Sequence, residues 1–129
     1  MPTYDATLFD PPAPLARVTL HNPENTDALS EVPMLLDSGA DVTLTPKAYA
    51  NQLGLTADAN DVYELIGFDG RTSFASVVHL EMLFLNRTFR GRFLLIDQEW
   101  GILGRDILNL VSLLLDGPNL IWNEQRRSR

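Results

Sequence analysis

The feature that most restricts the fold of this chain is a short apolar run, Val32-Pro33-Met34-Leu35-Leu36, cut off by Asp37-Ser38-Gly39, after which Val42-Thr43-Leu44-Thr45 resumes strand-like chemistry. A run this short fits a buried strand and is too brief for a helix. Asp, Ser and Gly in succession favour a turn, because the first two hydrogen-bond locally and glycine tolerates unusual dihedrals. Two strands therefore meet at a polar, glycine-containing turn. Leu35 and Leu36 anchor the first strand in the core, and Gly39 permits close approach of backbone. Asp37 is thus a carboxylate held at a fixed point and partly shielded from solvent.

Short β-rich runs separated by turn signals fill most of the chain. Residues 1 to 14 carry Pro2, Pro11, Pro12 and Pro14, which predicts an extended arm. Leu15 to Leu20 alternates in part, and Asn22-Pro23-Glu24-Asn25 forms its exit turn. Thr45 is predicted to cap a short helix with Pro46 at its first position, Ala48, Tyr49 and Leu53 on one face, and Gly54 as the stop. Val62 to Ile66 and Thr72 to Val78 flank Gly67-Phe68-Asp69-Gly70-Arg71, and His79 to Ile96 reads as two strands broken near Asn86-Arg87. Gly101 to Leu110 predicts a strand end leading into a short helix. Leu113 to Leu115 and Asn119 to Trp122 surround an Asp116-Gly117-Pro118 turn, with Leu120, Ile121 and Trp122 assigned to the core or to an interface. The expectation is an all-β fold with one or two short helices, arranged as a closed or nearly closed barrel.

Composition narrows the function. A chain of 129 residues, 45% of them hydrophobic, can bury one core but not two well-packed lobes. One domain is expected over residues 15–125, after the arm at 1–14 and before a solvated basic tail at 126–129. The 17 acidic residues outnumber the 10 basic ones, and the formal net charge of -7 repels polyanions, so nucleic acid is not an expected partner. Cysteine is absent, which removes disulfides, thiolate metal sites and cysteine nucleophiles. His21 and His79 have no companions at ligand spacing, and no zinc site is expected. No Gly-x-Ser-x-Gly elbow occurs, and Gly101-Ile102-Leu103-Gly104-Arg105 lacks the lysine and spacing of a phosphate loop. The start, Met1-Pro2-Thr3-Tyr4-Asp5, does not read as a signal peptide, and apolar stretches such as Val111 to Leu115 fall far short of the roughly 20 residues of a spanning helix. A cytoplasmic protein with no membrane partner is expected.

Asp69-Gly70 and Asp116-Gly117 are the other acid–glycine pairs, and both have the composition of ordinary turns. Asp37-Ser38-Gly39 taken alone also fits a strand-ending turn. Gly104-Arg105-Asp106 taken alone fits a helix start with an acid in its first turn.

Taken together, the two segments resemble a known family. Leu35-Leu36-Asp37-Ser38-Gly39-Ala40-Asp41 is similar to the active-site segment of retropepsins, the retroviral-type aspartic proteases, and Ile102-Leu103-Gly104-Arg105-Asp106-Ile107-Leu108 is similar to their downstream Gly-Arg-Asn/Asp segment. The resemblance spans roughly Leu15 to Trp122. It implies a closed retropepsin-like barrel and an aspartic endopeptidase, with Asp37 as the catalytic residue and Ser38, Gly39 and Ala40 forming the supporting loop. Ser38 would brace the partner chain, Gly39 and Asp41 would contact substrate backbone, and Arg105 would form a buried or half-buried ion pair with Asp41. Ile66, Gly67 and Phe68 stand where the family's flap closes over bound peptide.

Such chemistry needs two carboxylates sharing a proton, one acting as base toward water and the other as acid toward the scissile carbonyl. Only one Asp-Ser-Gly segment follows an apolar run here, so the resemblance implies a homodimer with one Asp37 from each subunit beside a two-fold axis. It also implies an inactive monomer, an acidic optimum, no cofactor, no metal, and no covalent acyl-enzyme. The hairpin tip carries Phe68, Asp69 and Arg71 where the family's flaps are richer in glycine. That departure motivates an alternative, a dimeric peptide-binding or scaffold module of the same fold with little or no catalysis. A monomeric barrel without a dyad is a third reading.

Overall fold

The computed structural model describes residues 2–66 and 69–126. Gly67 and Phe68, and Arg127 to Arg129 of the basic tail, lie outside the described residues. The described residues form β1 (Tyr4–Asp5), β2 (Ala13–His21), β3 (Ala28–Leu36), β4 (Leu44–Pro46), α1 (Lys47–Gln52), β5 (Asp58–Ile66), β6 (Thr72–Phe84), β7 (Arg87–Ile96), β8 (Gly101–Leu103), α2 (Arg105–Leu108), β9 (Leu113–Asp116) and β10 (Ile121–Glu124). The protein is mostly β with short helices. No helix among the described residues is long and apolar enough to cross a membrane.

Period-two patterning places the core. Ala16, Val18 and Leu20 of β2, Val32 and Met34 of β3, and Val78, Leu80, Met82 and Phe84 of β6 are buried in one cluster with Leu103, Ile107 and Trp122. Leu44, Ala75, Val77 and Leu94 form a second cluster, against which Val42, Leu65, Ile96 and Ile102 pack. Val77 and Val78 are adjacent in β6 and both fully buried, so this strand is covered on both faces. Trp122 is accommodated in the core because its indole Nε1 donates to Leu15 O at 3.0 Å.

The main sheet runs β1-β2-β3-β8-β4-β7-β6-β5, and β2 also pairs with β6 through Thr19, Leu20 and His21. Strands β3 and β8 are parallel, with Leu35 opposite Ile102 and Leu36 opposite Leu103, and β4 is parallel to β7. The β9–β10 hairpin packs against the start of its own chain. Thr3 bridges Ile121, Tyr4 N donates to Leu120 O at 2.9 Å, and Trp122 N donates to Pro2 O at 3.2 Å.

Three local expectations change. The residues expected to start a helix at Thr45 are drawn into the sheet, because Thr45 pairs with Leu95 and Pro46 with Ile96. Pro46, with ψ at 126°, becomes the residue before α1, and α1 has no side-chain cap. The strand expected to end at Val78 continues to Phe84, because β6 is flanked by β7 over most of its length. The break to β7 falls at Leu85 and Asn86, both at positive φ (54° and 61°), the conformation of a two-residue hairpin turn.

Candidate active site

Asp37 stands one residue beyond β3, and its N–H donates to Leu103 O at 3.1 Å, which carries the β3–β8 ladder past its last pair. The chain then turns at once. Ala40 N donates to Asp37 O at 3.2 Å, and Gly39 N donates to the Asp37 carboxylate at Oδ1, 2.9 Å away. The carboxylate is oriented by its own turn. A Cβ on Gly39 would lie 3.1 Å from that oxygen, so a side chain here would crowd the carboxylate. Asp37 and Ala40 are half-buried, and Ser38 and Gly39 are exposed.

Two interactions tie this loop to the segment after β8. Arg105 holds it at three points: its N–H donates to Ala40 O at 2.9 Å, Nη1 donates to Ser38 O at 2.7 Å, and Nη2 donates to Asp41 Oδ1. The Asp41–Arg105 pair is exposed rather than buried, with side chains 82% and 42% accessible. Solvent screening then limits its contribution to stability to about 0–1 kcal/mol. Its effect is geometric, since one guanidinium fixes a backbone carbonyl and a carboxylate of the same loop.

The second tie lies deeper. Thr43 is buried, its hydroxyl donates to Asp106 Oδ1 at 2.7 Å, and its N–H donates to Oδ2 at 3.1 Å. The same hydroxyl accepts from the buried Gly104 N–H at 3.1 Å. Gly104 must be glycine for this contact, because a Cβ there would lie 2.4 Å from Val42 O. Sequence reading gave Thr43 no role and treated Asp106 as a first-turn acid. The Gly-Arg-Asp spacing was visible, but its partner is far along the chain.

Strand register defines the surface around Asp37. Leu35 lies opposite Ile102, and Asp37, which continues the ladder past β3, falls by alternation on the face of Leu35 and Ile102. Leu35 and Ile102 are each half-buried, so apolar surface adjoins the carboxylate on this face. Neither was singled out as a site residue from sequence.

The β5–β6 hairpin carries Ile66 opposite Thr72, Leu65 opposite Ser73 and Glu64 opposite Phe74. Leu65 turns inward onto the second cluster, against which Val42 and Ile102 also pack. Ile66, named from sequence as a substrate contact, turns the other way and is 73% exposed, on one face with Val62 and Phe74. The two rival acids hold local turns. Asp69 Oδ1 accepts from Arg71 N at 2.9 Å, and Asp116 accepts from the backbone and side-chain amides of Asn119.

No family model matches this chain, and no curated protein matches it. Solved structures do. The EIAV protease complexed with the inhibitor HBY-793 is 24% identical with a TM-score of 0.57, over 75% of this chain and 86% of that one. A retropepsin-like aspartic protease from Rickettsia conorii is 13% identical with a TM-score of 0.56, over 94% of this chain and 84% of that one. At such identities the likeness speaks for backbone architecture, and on it this chain has the retropepsin-like fold.

Proposed function

We propose that this chain is one half of a homodimeric aspartic endopeptidase. The observation that carries the reading is the placement of Asp37: a half-buried carboxylate at a strand end, oriented by Gly39 N, on a loop tied to Arg105 and Asp106, within a retropepsin-like fold. In this reading the return of pairing from β6 to β2 closes a barrel, and the β5–β6 hairpin serves as a flap.

Two copies would bring their Asp37 carboxylates together across a two-fold axis, where like charges resist double ionisation and one proton is shared. The ionised member takes a proton from water as that water attacks the scissile carbonyl carbon. The protonated member gives its proton to the carbonyl oxygen, forming a tetrahedral intermediate. Proton transfer to the leaving amine and collapse of the intermediate then break the C–N bond. Ser38 and Gly39 are exposed and would face the partner and the peptide. Asp41 and Arg105 would hold the loop at the edge of the cleft.

Incubation with a mixed peptide library at several pH values tests this, with Asp37→Asn and a statine-type transition-state mimic as controls. Cleavage abolished by both supports the proposal. Peptide binding without cleavage favours the scaffold module, and a rate climbing steadily to about pH 9 contradicts a shared proton.

A further inference from the structure

The β6–β7 turn, the segment after α2 and the end of β10 enclose a cavity of about 650 Å³, whose lining includes Asn86, Arg87, Leu110, Ser112, Glu124 and Arg126. None of residues 37–41 lines it. Arg105, the first residue of α2, holds the Asp37 loop through Ser38 O, whereas the cavity begins past the last residue of that helix, where Leu110 N donates to Ile107 O at 2.9 Å. The cavity and the candidate catalytic loop thus stand at opposite ends of α2.

Two guanidiniums meet one carboxylate in this lining. Arg87 Nη2 lies 3.8 Å from Glu124 Oε2, and Arg126 Nε lies 3.7 Å from Glu124 Oε1. Both separations exceed hydrogen-bond length, so Glu124 offsets charge without occupying the donors of either fork. Arg87 Nη1 donates to Leu110 O at 2.8 Å, and both arginine side chains remain accessible while Glu124 is mostly covered. One positive charge is left facing the cavity, in a chain whose formal net charge is -7. Most of such a surface repels an acidic peptide, and a local cationic hollow is where one can settle. Beside the guanidiniums, Leu110 is 60% exposed, and Asn86 and Ser112 add neutral donors.

We infer that this cavity is a docking site for an acidic, extended peptide segment: a carboxylate of the incoming chain pairs with Arg87 and Arg126, and an apolar neighbour of that acid packs on Leu110. The volume suits a short stretch of peptide rather than a lone ion. A guanidinium fork grips a carboxylate at two points, which fixes direction as well as charge. The site is separate from Asp37 and stands whether or not the chain cleaves what it binds.

The test is fluorescence anisotropy with a short labelled peptide of alternating Leu and Glu, its Leu and Gln counterpart, and a single-stranded oligonucleotide of matching charge. Titrations use the full chain carrying Asp37→Asn, which keeps the peptides intact. The Glu peptide should bind about fivefold or more tightly than the Gln peptide at low salt, and the gap should close as ionic strength rises. Arg87→Met and Arg126→Met should each cut that ratio by about half or more, and Arg126→Lys, which keeps the charge and loses the fork, should fall between. If Arg87→Met fails to fold for want of its bond to Leu110 O, Arg126→Met decides alone. Equal affinity for the Glu and Gln peptides, or a ratio that Arg126→Met leaves unmoved, overturns the proposal. In wild type, a saturating statine-type mimic should leave the Glu peptide bound, and its displacement would put the peptide in the cleft and overturn the separate site. Tighter binding of the oligonucleotide than of the Glu peptide would make the ligand a nucleic acid and overturn the peptide assignment.

Discussion

Thr43 and Asp106, 63 positions apart, are joined by a hydroxyl–carboxylate hydrogen bond of 2.7 Å, and the same hydroxyl receives the Gly104 N–H. One buried oxygen thus fastens the segment after Asp37 to the segment after β8. Thr43→Val removes that oxygen and keeps the volume, leaving the buried Gly104 N–H without its acceptor. A loss of about 1–3 kcal/mol in denaturant unfolding is expected. Asp106→Asn, which keeps one acceptor, should lose less than Asp106→Ala.

Gly104 and Gly117 make opposite demands on the backbone around them. A Cβ at Gly104 meets Val42 backbone at 2.4 Å and 2.5 Å, whereas one at Gly117 has nothing within 4 Å. Backbone cannot move aside as a flexible side chain can, so Gly104→Ala should destabilise by about 3 kcal/mol or more. Gly117→Ala should stay within about 0.5 kcal/mol. Thermal melts of the two variants side by side check this.

Thr45 is fully buried, and its Oγ1 has no hydrogen-bond partner. An unpaired hydroxyl in an apolar site is a standing cost, which a methyl group of the same shape removes. Thr45→Val should therefore stabilise the fold by about 1 kcal/mol. A lower unfolding midpoint in urea would contradict the assignment.

How much of this was readable beforehand depends on whether a residue's partner is near in sequence. The place of Asp37 at a strand end was readable because the apolar run before it and the turn residues after it are contiguous. The two motifs pointed to a fold that the solved structures share. Thr45 misled because threonine before proline has the chemistry of a cap, while its burial arises from β7, far along the chain. Thr43–Asp106 left no local signal, since it joins segments brought together only by the sheet. The exposure of Asp41 follows from its place on a loop outside the strands, where the ion-pair chemistry was visible and the solvent was not.

Arg105 separates stability from positioning. Because its pair with Asp41 is exposed, Arg105→Met should cost no more than about 1 kcal/mol in unfolding. The loop carrying Asp37 nevertheless loses its hold on Ser38 O and Asp41, and misplacement on that scale lowers kcat/KM by about tenfold or more. Activity and stability measured on the same preparation would show the divergence.

The central claim is that one chain holds half a catalytic site. Wild type at a fixed concentration is mixed with an equal amount of Asp37→Asn under conditions of subunit exchange, and the rate of peptide cleavage is followed. Random pairing places half of the wild-type subunits in mixed pairs, so the rate should fall to about half and continue down as more variant is added. A rate that stays at its starting value at every ratio would mean that each chain works alone, and would contradict the account.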